Sequence, residues 1–271
     1  LDLKWGINES FTLDATLIPD FGQVRSDDQV LNLSPYEVKF NENRPFFMEG
    51  TELFSKGGIF YSRRIGERPD GYSDAYGDLG ENEVMDNNPT ESRMINATKI
   101  SGRTKGGLGI GVFNAMTRTM HATIRDTLAG ETREYQTDPF TNFNMIVLDQ
   151  SLANNSYISF ANTNVRHAGE QSDLFYTANV SATDFRIQDK SREYSIFGQA
   201  AVSQKYFDDA DTDLGYSYQA RMGKTGGTFR AQYNVQVTND TYDPNDMGYL
   251  RRNNEFQNEL DISYNITDPF W

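Results

Sequence analysis

An irregular, acidic stretch at residues 37–52 carries the side chains best suited to chemistry in this sequence. Hydrolysis of a glycosidic bond needs two carboxyl groups about 5–10 Å apart, one of them with a raised pKa. Four glutamates could supply such a pair: Glu37, Glu42, Glu49 and Glu52. Three arginines nearby in the sequence can neutralise them instead: Arg44, Arg63 and Arg64. Because charges inside proteins are normally paired, we predict a salt-bridged structural element, with an outer-membrane-associated hydrolase using these carboxylates as the alternative.

Other catalytic and metal-binding patterns fit the sequence poorly. The two histidines, His121 and His167, lie in polar runs near predicted strand ends, which favours surface positions. The sequence contains no G-x-S-x-G elbow, H-E-x-x-H motif or P-loop. Gly107, Gly109 and Gly111 alternate with apolar residues, so we interpret them as small inward-facing positions of a strand. The sequence therefore predicts no catalytic residue, no metal site and no cofactor.

Composition excludes several classes of partner and chemistry. The chain has 271 residues, with 25 Lys and Arg against 39 Asp and Glu, and a formal net charge of −14. Nucleic acid is bound by basic surfaces, so we expect no nucleic-acid partner. The absence of cysteine excludes disulfides and thiol nucleophiles. Mean hydropathy is −0.67, and no apolar run approaches the roughly 18 residues that a membrane-spanning helix needs.

Alternation of apolar and polar residues with a period of two is the dominant pattern, and it predicts β-strands. The alternation is clearest in residues 213–224, 229–238 and 255–266. Roughly ten such segments follow one another along the chain, which predicts antiparallel strands of about ten residues. We predict contact with lipid on the apolar faces of the three clearest strands. The residues on these faces are Tyr216, Tyr218, Phe229, Tyr233, Val235, Leu260, Ile262 and Tyr264.

Strand length and connection length favour one of two all-β architectures. Strands of globular proteins average about 5–6 residues, whereas a tilted membrane strand needs about 9–11. Short connections (224–227) alternate with long ones (239–254), as turns and external loops do in outer-membrane barrels. We therefore predict a single domain over residues 1–271. Its predicted fold is an antiparallel outer-membrane β-barrel, or a large part of one, and a water-soluble β-sandwich is the alternative.

Residues 19–95 break the alternation and are predicted to form an inserted element of this barrel domain. Ordinary connections have a handful of residues, so a stretch of this length is usually functional. Its part 40–66 mixes six aromatic residues with charges. Such a segment suits neither a free loop, where exposed aromatics invite association, nor lipid, where unsatisfied polar groups are costly. We predict an ordered plug in the lumen or across one mouth, and a solvated, mobile loop over 67–93.

Ion pairs should hold this plug in place. We expect Arg44, together with Arg63 or Arg64, to form charge-assisted hydrogen bonds with Glu49 or with a carboxylate of the wall such as Asp14.

A long motif in and around the insertion carries a family resemblance. It comprises Pro19-Asp20-Phe21, Gln23-Val24, Asp27, Gln29-Val30, Asn32-Leu33, Arg44-Pro45-Phe46-Phe47, Glu49-Gly50, the run from Tyr61 through Arg63 and Arg64 to Gly66, and the run from Gly248 to Asn253. The motif resembles the C-terminal domain of Bacteroidota outer-membrane proteins of unknown function. These proteins usually carry an N-terminal family-9-type, DOMON-like carbohydrate-binding module. The resemblance covers the whole chain, most strongly residues 10–66, and implies an outer-membrane barrel without assigning any catalytic residue.

The predicted function is a structural, transport-associated or surface glycan-handling component of the bacterial outer membrane, without catalytic activity of its own. Outer-membrane lipid is the expected partner, with glycans or other envelope proteins as further ones. A subunit of a larger cell-envelope complex is a second alternative beside the hydrolase. The chain opens at Leu1 inside an alternating run, and Pro269 would interrupt a last strand. We therefore expect it to be a piece of a longer polypeptide that lacks the binding module.

Overall fold

The computed structural model describes residues 1–17, 31–168, 176–207 and 210–266, and antiparallel β-structure dominates them. Eleven strands form one large sheet, in the order β1 (Asp2–Gly6), β2 (Phe11–Leu17), β4 (Met94–Arg103), β5 (Leu108–Thr117), β8 (Phe140–Ser151), β9 (Tyr157–Ala168), β10 (Tyr176–Gln188), β11 (Tyr194–Phe207), β12 (Asp213–Lys224), β13 (Phe229–Thr238) and β14 (Glu255–Tyr264). A small second sheet has the order β3 (Glu83–Asn87), β6 (Met120–Asp126) and β7 (Thr132–Asp138).

Within the described residues, helical structure is confined to short elements. Two helices of four residues are present, α1 (Pro45–Met48) and α2 (Asp74–Gly77). Four 3₁₀ turns cover Lys56–Gly58, Ser62–Arg64, Asp70–Tyr72 and Ala153–Asn155. Across the described ranges, no helix has both the length and the apolar character needed to cross a membrane.

The large sheet is open. Its order begins at β1, which pairs with β2, and ends at β14, which pairs with β13. The prediction of an all-β antiparallel fold is confirmed, and the strands of the large sheet beyond β2 have ten or more residues. The described strands do not close into a barrel, however. The prediction of a closed barrel is therefore not confirmed, and the structure contains an open sheet.

The two faces of the large sheet differ in exposure because successive side chains of a strand point to opposite sides. In β8, Met145 and Val147 are 1% and 0% exposed, whereas Ile146 and Leu148 are 49% and 42% exposed. We call the face of Met145 and Val147 the inner face and the face of Ile146 and Leu148 the outer face. Small or polar residues dominate the inner face of β9 to β11, among them Ala161, Ala178, Ala182 and Ala201. Large apolar residues on the outer face stay exposed.

The connections of the large sheet differ in length at its two ends. Short turns join β1 to β2, β4 to β5, β8 to β9, β10 to β11 and β12 to β13. At the opposite end lie the three longest connections, which run from β2 to β4, from β5 to β8 and from β13 to β14. We call these the short-turn end and the long-connection end. The three longest connections thus share one end of the sheet, although the connection from β11 to β12 at that end has only five residues.

Two segments predicted to be external loops are folded into the molecule. Residues 67–93 contain α2 and β3, and Arg133 of β7 donates hydrogen bonds to Asp78 and Glu83 at 2.7 Å each. The prediction of a solvated loop there was wrong. In the connection 239–254, Tyr242 and Met247 belong to the main hydrophobic core. That connection therefore covers the inner face instead of extending away from the sheet.

The insertion packs on the inner face at very short backbone distances, which explains the small residues found there. Gly57 has φ +72°, and a Cβ atom added to it would lie 2.9 Å from the Cβ of Ala182 and 3.2 Å from that of Ala161. The Gly57 N–H donates to Asp184 Oδ1 at 3.1 Å, and its carbonyl accepts from Gln199 Nε2 at 2.6 Å. Backbone groups of the insertion are thus hydrogen-bonded directly to side chains of β10 and β11.

Substitution of Gly57 by alanine should weaken this packing. The new methyl group would overlap Ala182, and overpacking of this kind costs about 1–3 kcal/mol; the left-handed backbone adds about 1–2 kcal/mol for a residue with a Cβ. Denaturant unfolding of Gly57→Ala should show this loss. Gly77→Ala is the matched control, since its added Cβ would meet nothing within 4 Å. Equal stability of the two variants would contradict the close packing.

Candidate functional site

Arg44 anchors the first part of the insertion, and it does so from a buried position. Its side chain precedes α1, whose first residue is Pro45, and the residue is 6% exposed. The guanidinium donates to Glu42 Oε1 at 2.9 Å through Nε and to Glu42 Oε2 at 2.7 Å through Nη2. It also donates to the carbonyl oxygens of Ser62 at 2.7 Å and Ile65 at 2.6 Å. One side chain therefore ties residues 42–45 to residues 62–65.

Arg64 links the insertion to the connection 239–254. Its Nη2 lies 2.7 Å from Glu37 Oε2, its Nη1 lies 3.1 Å from Glu67 Oε2, and its Nε donates to the carbonyl of Gly248 at 3.0 Å. Gly248 has no room for a side chain, because an added Cβ would lie 2.8 Å from the carbonyl oxygen of Pro244. This contact joins two parts of the motif that are 184 residues apart.

The acidic residues of 37–52 are each held by a cation. Besides the pairs of Glu37 and Glu42, Glu49 lies 2.5 Å from Lys4 and Glu52 lies 3.5 Å from Arg103. Burial opposes ionisation of Glu42, but hydrogen bonds and charge from Arg44 outweigh it and lower its pKa. A hydrogen bond from Lys4 likewise lowers the pKa of Glu49. A general acid needs a raised pKa, so this arrangement favours the structural interpretation over a catalytic dyad.

The ion-pair partners differ from those expected. Glu49 pairs with Lys4 of β1 rather than with an arginine of the insertion, and Asp14 lies 3.9 Å from Lys99 of β4. The Nζ of Lys99 also donates to the backbone carbonyls of Phe46 and Glu49. These two carbonyls lie at the end of α1. Lys99 of β4 therefore satisfies acceptors that a helix end leaves unpaired.

The aromatic residues of the motif form the apolar centre of the insertion. The rings of Phe46 and Phe47 are 5.1 Å apart and lie 6.5 Å and 6.1 Å from Phe113 on the inner face. Phe54 and Phe60 contact the same Phe113 ring at 6.1 Å and 5.4 Å. These edge and tilted contacts are the arrangements that aromatic pairs prefer.

The remaining predicted motif residues lie elsewhere. Asn32 accepts a hydrogen bond from the Ser34 N–H at 3.0 Å and donates to the Tyr36 carbonyl at 2.6 Å, so it shapes a local turn. Arg63 is partly buried beside Arg64. Asp20, Phe21 and Gln23 lie outside the described residues. The structure thus brings Arg44, Phe46, Phe47 and Arg64 into one packed element.

The residues predicted to face lipid are grouped on the outer face. Tyr218 of β12 pairs with Val237 of β13, and Tyr233 of β13 pairs with Leu260 of β14. All of the eight except Val235 are exposed, and Val235 is partly buried. Their contact with lipid belongs to the proposal below.

A polar cavity of about 220 Å³ lies at the long-connection end, and no motif in the sequence indicated it. Side chains at the ends of five strands form its wall: Thr117, Thr141, His167, Tyr176 and Lys205. Residues of the connections close it, among them Glu67, Asp70, Ser92, Asp138 and Asp246. The strand register brings these wall positions together, because Thr117 pairs with Thr141, and Thr141 pairs with His167.

His167 and Asp246 form the buried centre of the cavity. The histidine side chain is only 10% exposed, so the prediction of a surface histidine was wrong there. Its Nδ1 lies 3.2 Å from Thr141 Oγ1, and its ring lies 4.5 Å from that of Tyr176. The Tyr176 hydroxyl donates to Asp246 at 2.6 Å, and Lys205 Nζ lies 3.1 Å from the same carboxylate. Burial opposes ionisation of Asp246, but His167, Lys205 and Tyr176 outweigh it and lower its pKa.

Asp138 is the buried carboxyl of the cavity without a cation beside it. The residue is 9% exposed and accepts a hydrogen bond from the Ser92 hydroxyl. Burial raises the pKa of Asp138 to about 6, and the charge of Asp70 adds to this effect. The structure offers no multi-ligand metal site in its described residues, since no group of three or more His, Asp or Glu side chains could hold an ion.

Comparison with known proteins identifies a family. The family model described as "Domain of unknown function (DUF5916)" matches residues 1–271. The chain belongs to the DUF5916 family. No curated protein and no solved structure matches it. Membership over the whole chain agrees with the resemblance to an unknown-function family, while the Bacteroidota origin and the carbohydrate-binding module remain predictions.

Replacement of Arg44 by leucine should destabilise this DUF5916 domain strongly. The substitution leaves Glu42 without its charged partner and two backbone carbonyls without their donor, although the Ser62 hydroxyl still donates to Glu42. Breaking a buried pair costs about 3–5 kcal/mol. Lys4→Leu breaks the exposed pair with Glu49 and should change stability little, because water and salt screen exposed ion pairs. Free energies of unfolding measured for both variants check the difference. Similar losses would show that Arg44 does not anchor the insertion.

Asp138 should make the stability of the DUF5916 domain fall as pH rises. With a folded-state pKa near 6 and an unfolded value near 3.8, the folded state binds the proton more tightly, so unfolding releases it between these values. Asp138→Asn should therefore gain about 2–3 kcal/mol relative to the parent between pH 4 and pH 7. Unfolding free energies across this range check it. Asp240→Asn, at an exposed position, should show a flat difference.

Proposed function

We propose that this domain forms part of the wall of an outer-membrane β-barrel whose interior is filled by its own insertion. In this proposal the domain is a structural or transport-associated component without catalytic activity of its own. The observation that carries the proposal is the outer face of the large sheet, which leaves large apolar side chains exposed along strand after strand. Soluble monomers rarely expose continuous apolar patches larger than a few hundred Å².

The apolar side chains of the outer face form a band that crosses neighbouring strands. Val112 of β5 pairs with Ile146 of β8, and Leu148 of β8 pairs with Phe160 of β9. All four are more than 40% exposed. Contact with the hydrocarbon of a bilayer removes this surface from water, and alternating apolar-out strands are the pattern of transmembrane barrels.

An amide row borders this band toward the long-connection end. The register places Asn114, Asn144, Asn164 and Asn179 side by side on the outer face of four adjacent strands. Asn114 Nδ2 also donates to the side-chain oxygens of Asn142 at 2.7 Å and Asn144 at 2.9 Å. Amide groups suit the polar headgroup layer better than hydrocarbon, because polar groups are costly to bury in lipid. In this proposal the amide row lies in the headgroup layer and marks the edge of the membrane-embedded band.

The inner face of the large sheet is covered by other parts of the chain, which supports a barrel with a filled interior. The insertion and the connection 239–254 cover it with a continuous core that includes Phe47, Phe54, Ile59 and Met247. The same element is held by the buried ion pair of Arg44 with Glu42 and by the partly exposed pair of Arg64 with Glu37. A wall covered in this way favours a plugged barrel over an open pore. Closure requires further strands, because the unpaired edges of β1 and β14 cannot remain exposed in hydrocarbon.

The other proposed roles concern partners. Handling of surface glycans follows from the resemblance alone, through a binding module outside this domain. A place in a larger envelope complex is favoured by one observation, the amide row, which could also meet polar groups of a protein partner.

A pair of arginine substitutions on neighbouring residues of β13 tests the membrane proposal. Val235 lies at mid-strand on the outer face, and Gln236 lies on the inner face beside a polar cavity. Arginine at mid-depth on a lipid-facing position costs about 2–4 kcal/mol, so Val235→Arg should be destabilising by this amount in lipid, while Gln236→Arg should cost far less. Unfolding from bilayers measures both. Equal costs would show that β13 is not embedded.

A further inference from the structure

The cavity at the long-connection end has room for a small molecule. Its volume is about 220 Å³, whereas a water molecule in the liquid takes about 30 Å³. A ligand of about six or seven non-hydrogen atoms would fill it. The wall is formed by the fixed ends of paired strands, so its polar atoms keep their relative positions. Such fixed, converging polar groups are typical of small-molecule sites.

The charges around the cavity leave an excess of negative groups. Arg64 is paired with Glu37 and Glu67, and Lys205 is paired with Asp243 and Asp246. The third cation of the lining, Arg68, lies over the neutral ring of Tyr72 at 4.9 Å and keeps its positive charge. Within the described ranges, no ion pair neutralises Asp70 or Asp138. Two carboxylates therefore face the cavity without a cation of their own.

Buried polar atoms without partners point to a ligand as well. Thr117 is 1% exposed, and its Oγ1 has no hydrogen-bond partner among the described residues. Nε2 of His167, whose side chain is nine-tenths buried, also makes no hydrogen bond of ordinary length, although it lies 3.8 Å from Asp246 Oδ1. Leaving a buried polar group unsatisfied costs about 1–3 kcal/mol. Both atoms lie on residues that line the cavity and could bond to a molecule inside it.

We propose that this cavity binds a small aliphatic amine, with its ammonium group at Asp138 and Asp70 and hydrogen-bonded to the hydroxyl of Thr117. An ammonium group donates up to three hydrogen bonds and accepts none, which suits the oxygen acceptors of Asp70, Asp138 and Thr117. Asp138 already accepts one hydrogen bond, from the Ser92 hydroxyl. An anion is disfavoured, because four carboxyl groups line the cavity against three cations, Arg64, Arg68 and Lys205. The proposal is independent of the membrane proposal, since it concerns the cavity and not the outer face.

Three four-carbon probes separate the ligand classes: 1,4-diaminobutane, neutral 1,4-butanediol and the dianion succinate. Titration calorimetry on the whole 271-residue chain at pH 7.5 should show binding of the diamine and much weaker binding of the other two. Tighter binding of the diol or of succinate would overturn the proposal, as would the absence of diamine binding.

The pH dependence and two variants locate the binding within the cavity. Asp70, Ser92 and His167 are the groups that face Asp138, and with its pKa near 6 about nine-tenths of Asp138 is protonated at pH 5. Diamine affinity should therefore fall about tenfold from pH 7.5 to pH 5. At pH 7.5, Asp138→Asn should lower it by a similar factor and Thr117→Val by a smaller one.

Asp240→Asn, on the exposed connection, is the control and should bind like the parent. An unfolding curve measured for each of the three variants shows whether it is folded before it is titrated. If folded Asp138→Asn and Thr117→Val both retained the parent affinity, the amine would bind elsewhere and the proposal would be wrong.

Discussion

The close approach of the insertion's backbone to the inner face is the constraint on which the rest of the structure depends. A backbone can lie against a sheet only where the facing side chains are small, and Ala161 and Ala182 meet this demand beneath Gly57. The same rule acts on β5, where Gly109 and Gly111 leave space for Leu53 and Phe54. Once the insertion is seated in this way, its aromatic residues and its arginines have only one set of neighbours.

Much of the sheet could be predicted from the sequence because alternation is a local property. The strands β12 and β13 follow from residues 213–224 and 229–238 alone, and their opposite faces follow from the pleat. The insertion was equally visible as a loss of alternation. Its ion pairs could not be predicted, because several arginines and several glutamates lie close together in the sequence. Only the folded path of the chain decides which arginine meets which glutamate.

The cavity could not be predicted for a related reason. Thr117, His167 and Lys205 belong to three different strands and are far apart in the sequence. Each looks like an ordinary strand-end residue, and only the register places them around one space. The connection 239–254 was misjudged because its length suggested an external loop. Tyr242 and Met247, large apolar residues in an otherwise polar stretch, were the signal that it is buried.

The unequal lengths of the connections also set an order on the formation of the sheet. Most neighbouring strands, such as β10 and β11, are joined by short turns, so their pairing closes small loops at little entropic cost. The contact of Leu17 in β2 with Asn96 in β4 closes a loop of 79 residues, and loop-closure entropy rises with loop length. The hairpin of β1 and β2 can therefore join the sheet cheaply only after the insertion has already shortened that distance by packing on the inner face. We therefore expect the insertion to pack on the inner face before the first hairpin of the chain joins the sheet.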